Sequence, residues 1–146
     1  MPREHGISDA RHRRMLMPPI SRYMTKQPWT ISAHQKLSDA HQLMHAHGIR
    51  HLPVVDDGKL VGIVSDRDLR LVEAVGGRRA GQIHDAMTEP VYAIDPLAQV
   101  DEVARMMSER KYGSAVVMNA DGVVVGIFTM VDACRALAEI LDRAAA

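Results

Sequence analysis

The sequence repeats itself once, and no other feature constrains the fold as tightly. Met24-Thr25 returns as Met87-Thr88, 63 positions later. The same offset carries Ile31 onto Ile94, Leu37 onto Val100, Ala40 onto Val103 and Met44 onto Met107. Further along each copy the offset becomes 64, pairing Gly58 with Gly122, Leu60 with Val124, Val61 with Val125, Gly62 with Gly126, Ile63 with Ile127, Ser65 with Thr129 and Asp68 with Asp132. A solenoid needs three or more stacked repeats to bury its faces, so two copies read as a duplicated supersecondary unit. The 146 residues divide into a basic N-terminal arm (1–19), a first unit (20–76), a linker (77–82) and a second unit (83–146).

Each copy carries the same local signals. Trp29-Thr30-Ile31 is short and β-prone, and Ser32 with Gln35 three residues on has the spacing of a helix N-cap; Asp95-Pro96 fills that role in the second copy. Leu37, Ala40, Met44 and His47, and then Val100, Val103 and Met107, recur as one face of a helix. Gly48 and Gly113 punctuate the chain before the apolar runs 52–55 and 115–118. Asp57-Gly58 and Asp121-Gly122 have the composition of hairpin turns leading into return strands at 60–64 and 123–128. A further helix should run from near Ser65 to before Gly76-Gly77, and its counterpart from Thr129 to the Ala-rich end. The expected class is α+β, α/β-like in its alternation, with the order β-α-β-β-α taken twice.

Composition narrows the function. With 47% hydrophobic residues the chain can bury a core, and 18 Lys plus Arg against 18 Asp plus Glu argue against a nucleic-acid partner held by a general positive field. Aromatics at 3% supply few stacking platforms for single strands. A local patch of Arg11, Arg13, Arg14, Arg78 and Arg79 is the weakest reading that remains. Cys134, the single cysteine, sits in an Ala-rich helical context and is expected as a small buried side chain in a reducing compartment. No apolar run approaches bilayer length, and the first nineteen residues, with Arg3, Arg11, Arg13 and Arg14, lack a signal-like apolar segment. The expectation is a cytoplasmic chain with no membrane partner.

Other clusters read as structural. His41 and His45, with His34 and His47 near in sequence, lie off the apolar stripe or lack further ligands, so a solvated face is expected and no metal. Met44, Met106 and Met107 read as core filling, whereas Met15, Leu16, Met17 and Ile20 could cover a partner's apolar surface or hang free. There is no phosphate-binding Walker loop, no Cys-x-x-Cys pair and no nucleophile with a base beside it, so no enzyme is expected and no catalytic residue is named.

Gly62-Ile63-Val64-Ser65-Asp66-Arg67-Asp68 and Gly126-Ile127-Phe128-Thr129-Met130-Val131-Asp132 resemble the Gly-h-h-Ser/Thr-x-x-Asp signature of CBS domains, named after cystathionine β-synthase. The Met-Thr pairs and the strand Leu52-Pro53-Val54-Val55 are also similar to that family's pattern, and the match covers about residues 19–141. The resemblance implies a stand-alone tandem pair, two units packed through their sheets as a pseudo-two-fold module. Adenosine nucleotides would bind in two clefts between the units, and the chain would pair further into a disc-shaped homodimer. From the residues alone, Ser65 with Asp68 and Thr129 with Asp132 also have capping-box spacing, which needs no ligand. Both readings stand at this point.

The resemblance implies that Asp68 and Asp132 accept ribose hydroxyls, with Ser65 and Thr129 beside them. Phosphate would meet the helix start at Ser65 and Arg67 in the same turn. Arg50 and His51 occupy the place where nucleotide-sensing pairs, such as the regulatory subunit of AMP-activated protein kinase, hold phosphate with basic side chains. The second copy has Gly113-Ser114 and Met130-Val131 at the corresponding places, so the clefts are expected to be unequal. An apolar adenine slot is expected among Thr30, Ile31, Leu52, Pro53, Val54, Ala115, Val116 and Val117. The expected function is a non-enzymatic regulatory or energy-sensing module for AMP, ADP or ATP, with S-adenosylmethionine as a further candidate and no required cofactor. It would act through conformation or dimer arrangement on an unidentified protein effector. The alternative is a ligand-independent dimerisation or docking module.

Overall fold

The computed structural model describes residues 17–76 and 81–146. The arm residues Arg3, Arg11, Arg13, Arg14, Met15 and Leu16 and the linker residues Arg78 and Arg79 lie outside them. After a 3-10 turn at Ile20–Arg22 and β1 (Thr25–Lys26), the first unit runs through β2 (Ile31–Ser32), α1 (Leu37–His47), β3 (His51–Asp56), β4 (Lys59–Ser65) and α2 (Asp66–Gly76). The short α3 (Ile83–Ala86) leads into the second unit: β5 (Ala93–Ile94), α4 (Val100–Arg110), β6 (Ser114–Met118), β7 (Val124–Thr129) and α5 (Met130–Ala145). The β-α-β-β-α order is present in both.

In each unit the short first strand runs parallel to the second, and the second pairs antiparallel with the third. The strand orders are β2-β3-β4 and β1-β7-β6-β5. The hairpins explain the change of offset. Asp57 and Gly58 both take positive φ (49° and 75°), the geometry of a two-residue turn whose twist suits the strands. The second hairpin is one residue longer, and Asn119 Oδ1 closes it by accepting the N–H groups of Asp121 and Val123, each at 3.0 Å.

The structure moves two expected helix starts. Ser32 Oγ accepts the His34 N–H at 3.3 Å and Asp95 Oδ1 accepts the Leu97 N–H at 2.8 Å, yet α1 begins at Leu37 and α4 at Val100. A short polar side chain can serve an N–H two residues on whether or not a helix follows. Here the intervening backbone is engaged elsewhere. Ala33 and Gln35 carbonyls accept the His84 and Ile83 N–H groups (2.9 and 2.8 Å), and Pro96 and Ala98 carbonyls accept those of Ser21 and Ile20 (3.0 and 2.7 Å). The second set is the first displaced by the repeat offset.

These bonds reveal a reciprocal exchange. The opening segment of the first unit packs on the second: Ile20 and Tyr23 are buried with Val100, Val103, Met107, Ala115, Val117, Phe128 and Ala136. The opening segment of the second unit packs on the first: Ile83 and Ala86 join Ile31, Leu37, Ala40, Met44, Leu52, Val54, Val64 and Leu69. The Met-Thr pairs follow suit. A Cβ on Gly62 would stand 2.6 Å from Met87 Sδ, and one on Gly126 would collide with Met24 Sδ, so the signature glycines make room for the exchanged methionines. Thr25 and Lys26 then add β1 to the edge of β7, while Thr88 makes a single bridge to Ile63.

Several side chains sit differently from expectation. Ile20 is fully buried in its own chain's core, so it is not free to cover a partner. Cys134 is exposed, because α5 turns Ala133, Ala136 and Ile140 inward and leaves Cys134 on the other face. His47 continues the expected stripe but lies in the last turn of α1, where it is exposed and stacks on Trp29. Met106 reaches the surface while Met44 and Met107 fill the cores. His41 pairs with Glu73, His45 is exposed, and the described residues contain no group of three or more potential metal ligands. No helix among them is long and apolar enough to cross a membrane.

Candidate functional site

The halves meet along two clefts related by the repeat offset. The first, about 600 Å³, is opened by Ser65 and Asp68 at the start of α2 and faced by Thr88, Pro90, Val91 and Tyr92, with Lys111 to Ser114 at its far wall. The second, about 760 Å³, is opened by Thr129 and Asp132 at the start of α5 and faced by Thr25 to Trp29, with His47 to His51 opposite. Both sizes suit a small organic ligand. Each cleft takes its helix start from one unit and its opposite wall from the other. That is why the exchange matters to the site.

The helix starts form because each carboxylate serves backbone N–H groups that the first turn leaves unpaired. Asp68 Oδ2 accepts the Ser65 N–H at 2.8 Å, and Ser65 Oγ accepts the Asp68 N–H at 3.1 Å. Asp132 Oδ2 accepts the Thr129 N–H at 2.9 Å and the Thr129 hydroxyl at 3.2 Å. The capping geometry is thus complete at both helices without a ligand. Beyond it the two carboxylates differ. Asp132 is only 3% exposed, and its Oδ1 accepts both the Thr25 hydroxyl (3.2 Å) and the Arg135 guanidinium (2.6 Å). Asp68 is half-buried, and its Oδ1 accepts no hydrogen bond among the described residues.

Arg50, His51 and Arg67, expected at phosphate, all line the first cleft, and Arg50 and His51 reach the second as well. Burial holds the His51 imidazole below its ordinary pKa, a shift that the Asp68 carboxylate opposes and Arg50 reinforces. Burial thus favours the neutral ring, which can still share a hydrogen bond. Its Nε2 lies against Gly113 of the other unit, where a Cβ would come within 3.1 Å.

The residues expected around adenine do not border the clefts. Leu52, Val54, Ala115, Val116 and Val117 are completely buried, Pro53 and Ile31 nearly so, and Thr30 is exposed. Central strands of a two-layer unit are covered on both faces, so their side chains serve the cores. Aromatic side chains border the clefts instead. Tyr92 stacks on Tyr112 beside the first cleft with centroids 5.1 Å apart, and Trp29 stacks on His47 in the second at 4.0 Å. Trp29 and Tyr92 are one repeat offset apart in a chain with five aromatic residues, a signal that was legible in the sequence.

Lys111 is a second residue that spacing overlooked. It closes α4 at φ 60°, the place where Gly48 closes α1 at φ 62°, so Lys111 and not Gly113 is the structural counterpart of Gly48. A left-handed non-glycine residue costs about 1–3 kcal/mol, which Gly48 avoids. Lys111 faces the first cleft. Arg70 also borders it but is paired with Asp66 at 3.0 Å.

Comparison with known proteins places this geometry. The family model described as "CBS domain" matches residues 20–74 and 80–139. A CBS domain-containing protein of Dictyostelium discoideum is 29% identical over 135 residues, covering 84% of this chain and 93% of the relative. Among solved structures, a CBS domain pair in complex with 5′-methylthioadenosine and S-adenosyl-L-methionine superposes with a TM-score of 0.78 at 30% identity, over 84% of this chain and 98% of that one. CBSX2 of Arabidopsis thaliana in complex with AMP gives 0.72 at 27% identity, over 84% and 98%. With both signatures matched in order and the fold shared over 84% of the chain, the chain belongs to the CBS domain family as a tandem pair of CBS units.

Proposed function

We propose that the protein is a non-enzymatic regulatory module that binds an adenosine nucleotide between its CBS units and passes occupancy on as a change in their arrangement. The observation that carries this reading is Asp68. One carboxylate oxygen caps α2, and the other has no hydrogen-bond partner among the described residues at a cleft of nucleotide size. A carboxylate offers about four acceptor positions, so a ribose diol can bond to Asp68 without breaking the cap. Ser65 lies beside it, and Asp132 with Thr129 is the corresponding pair of the second cleft.

Positive charge along the same cleft supports a phosphate there. Arg67, Arg50 and Lys111 line it, and α2 begins at its edge. Pro90, Val91 and Tyr92 provide an apolar wall for the base. Relatives that hold AMP, 5′-methylthioadenosine and S-adenosyl-L-methionine support an adenosine ligand, and the cationic lining favours AMP, ADP or ATP among them. The cytoplasm is the proposed compartment. A second copy of the chain is the proposed partner, covering the exposed Leu71 and Val75 of α2 and Leu137 and Leu141 of α5. A specific observation keeps the docking reading in view: both capping boxes are complete without ligand.

Calorimetric titration of nucleotide-stripped protein with AMP, ATP and S-adenosylmethionine tests the choice. Saturable AMP binding at one site per chain is expected, with Asp68→Ala losing at least about tenfold in affinity and about 1 kcal/mol of stability through the lost cap. No heat from any of the three at millimolar concentration would leave the docking module as the function.

A further inference from the structure

The second cleft has a carboxylate, two hydroxyls and an aromatic wall, yet its Asp132 is already fully bonded. Oδ2 holds the Thr129 N–H and hydroxyl, and Oδ1 holds the Thr25 hydroxyl and Arg135. These bonds use the acceptor positions of a carboxylate. The Arg135 guanidinium also donates to the Tyr23 carbonyl at 3.2 Å, which ties α5 to the exchanged N-terminal segment. The repeat offset puts Leu71 where Arg135 stands, three residues beyond Asp68 as Arg135 is three beyond Asp132. Leu71 carries no charge and is exposed, and Asp68 Oδ1 accepts no hydrogen bond among the described residues.

We propose that Arg135 is an internal occupant of the second cleft, a specificity-determining residue that competes with ribose for Asp132 and makes the paired clefts unequal. This rests on the nucleotide-binding reading and deepens it. Arg135 is 59% exposed at its side chain and is held through one guanidinium nitrogen, which donates to both Asp132 and the Tyr23 carbonyl, so it can swing out once a ligand competes for the carboxylate. A ribose entering the second cleft must first displace a charge-assisted hydrogen bond, which entry into the first cleft does not require. The first cleft therefore fills at lower ligand concentration.

The lone tryptophan makes the two clefts separately readable, because Trp29 borders the second. AMP titration of the wild type should saturate one site by calorimetry with little change in Trp29 emission. Arg135→Leu, which copies the first unit, should tighten the second site by at least about tenfold, equivalent to ~1.4 kcal/mol, and bring a saturable change in Trp29 emission. The reciprocal Leu71→Arg, read on protein whose sedimentation shows the wild-type assembly, should weaken the first site by about the same factor. Arg135→Gln serves where Arg135→Leu melts early.

A folded Arg135 variant with an unchanged one-site isotherm and silent Trp29 would overturn the proposal. So would a wild type that fills both clefts equally, or an unweakened Leu71→Arg. Absence of AMP binding in the wild type and in Arg135→Leu alike would instead bring down the nucleotide reading, and this proposal with it.

Discussion

The two clefts share one construction and differ in what their carboxylates have left to offer. Asp68 and Asp132 each start a helix through the same backbone bonds, and each faces an aromatic side chain one repeat offset away. Asp132 is then sealed by Thr25 and Arg135, whereas Asp68 keeps an oxygen that accepts no hydrogen bond among the described residues, in a cleft lined by cations. Duplication supplies a pair of equivalent positions, and a few side chains outside the signature give them different chemistry. Thr25 and Thr88 illustrate the point. Both line their clefts, yet only Thr25 reaches a carboxylate by a hydrogen bond among the described residues.

The strongest test of the equivalence concerns the cores beneath the clefts. Ile20 and Ile83 are one repeat offset apart, both fully buried, each in the core of the unit it does not begin. Ile20→Ala and Ile83→Ala should each cost about 2–5 kcal/mol in denaturant unfolding. An Ile20→Ala loss within a few tenths of zero would mean that the exchanged segment does not hold the second unit.

A smaller effect should come from the helix ends that separate the clefts. Lys111→Gly relieves a left-handed backbone at φ 60° and should raise the unfolding free energy by about 1 kcal/mol while weakening AMP binding at the first cleft. Gly48 already has the relaxed form, so the change makes the two helix ends alike. Unchanged nucleotide affinity would remove Lys111 from the phosphate site and sharpen the claim on Arg67 and Arg50.

The smallest effect is a pH dependence peculiar to one half, since His51 is matched by Ser114 in the other. Burial lowers the folded-state pKa of His51, so as pH falls through about 6.5 the unfolded chain takes up the proton first. Its contribution to stability is full above that pH and is lost as pH falls from there toward the folded value. Comparing unfolding free energies of wild type and His51→Gln between pH 7.5 and about pH 5 should show a shallower acid-side slope in the variant.

Much of this was legible in the chain. The strands after each helix, the hairpin glycines and the Ser/Thr-x-x-Asp starts of α2 and α5 all lie close to where periodicity and turn chemistry put them, because those signals act over a few residues. Arg50, His51 and Arg67 share a cleft. The starts of α1 and α4 were misjudged at Ser32 and Asp95 because the cap signal says only that a nearby N–H is served. The adenine expectation over Leu52 and Val116 followed strand composition, which does not tell a core face from a cleft face.

By itself the sequence determined a duplicated β-α-β-β-α unit and the chemistry at each helix start, because the repeat, the apolar period and capping are local properties of the chain. Only the tertiary structure decided that Ile20 and Met24 serve the second unit while Ile83 and Met87 serve the first. Only it brought Tyr92 and Lys111 to Asp68, and Thr25 and Arg135 to Asp132. These are contacts between residues far apart in sequence, or on one helix turn whose direction depends on what it packs against. Their energies come from shared burial and shared hydrogen bonds, which exist only once the two halves have met.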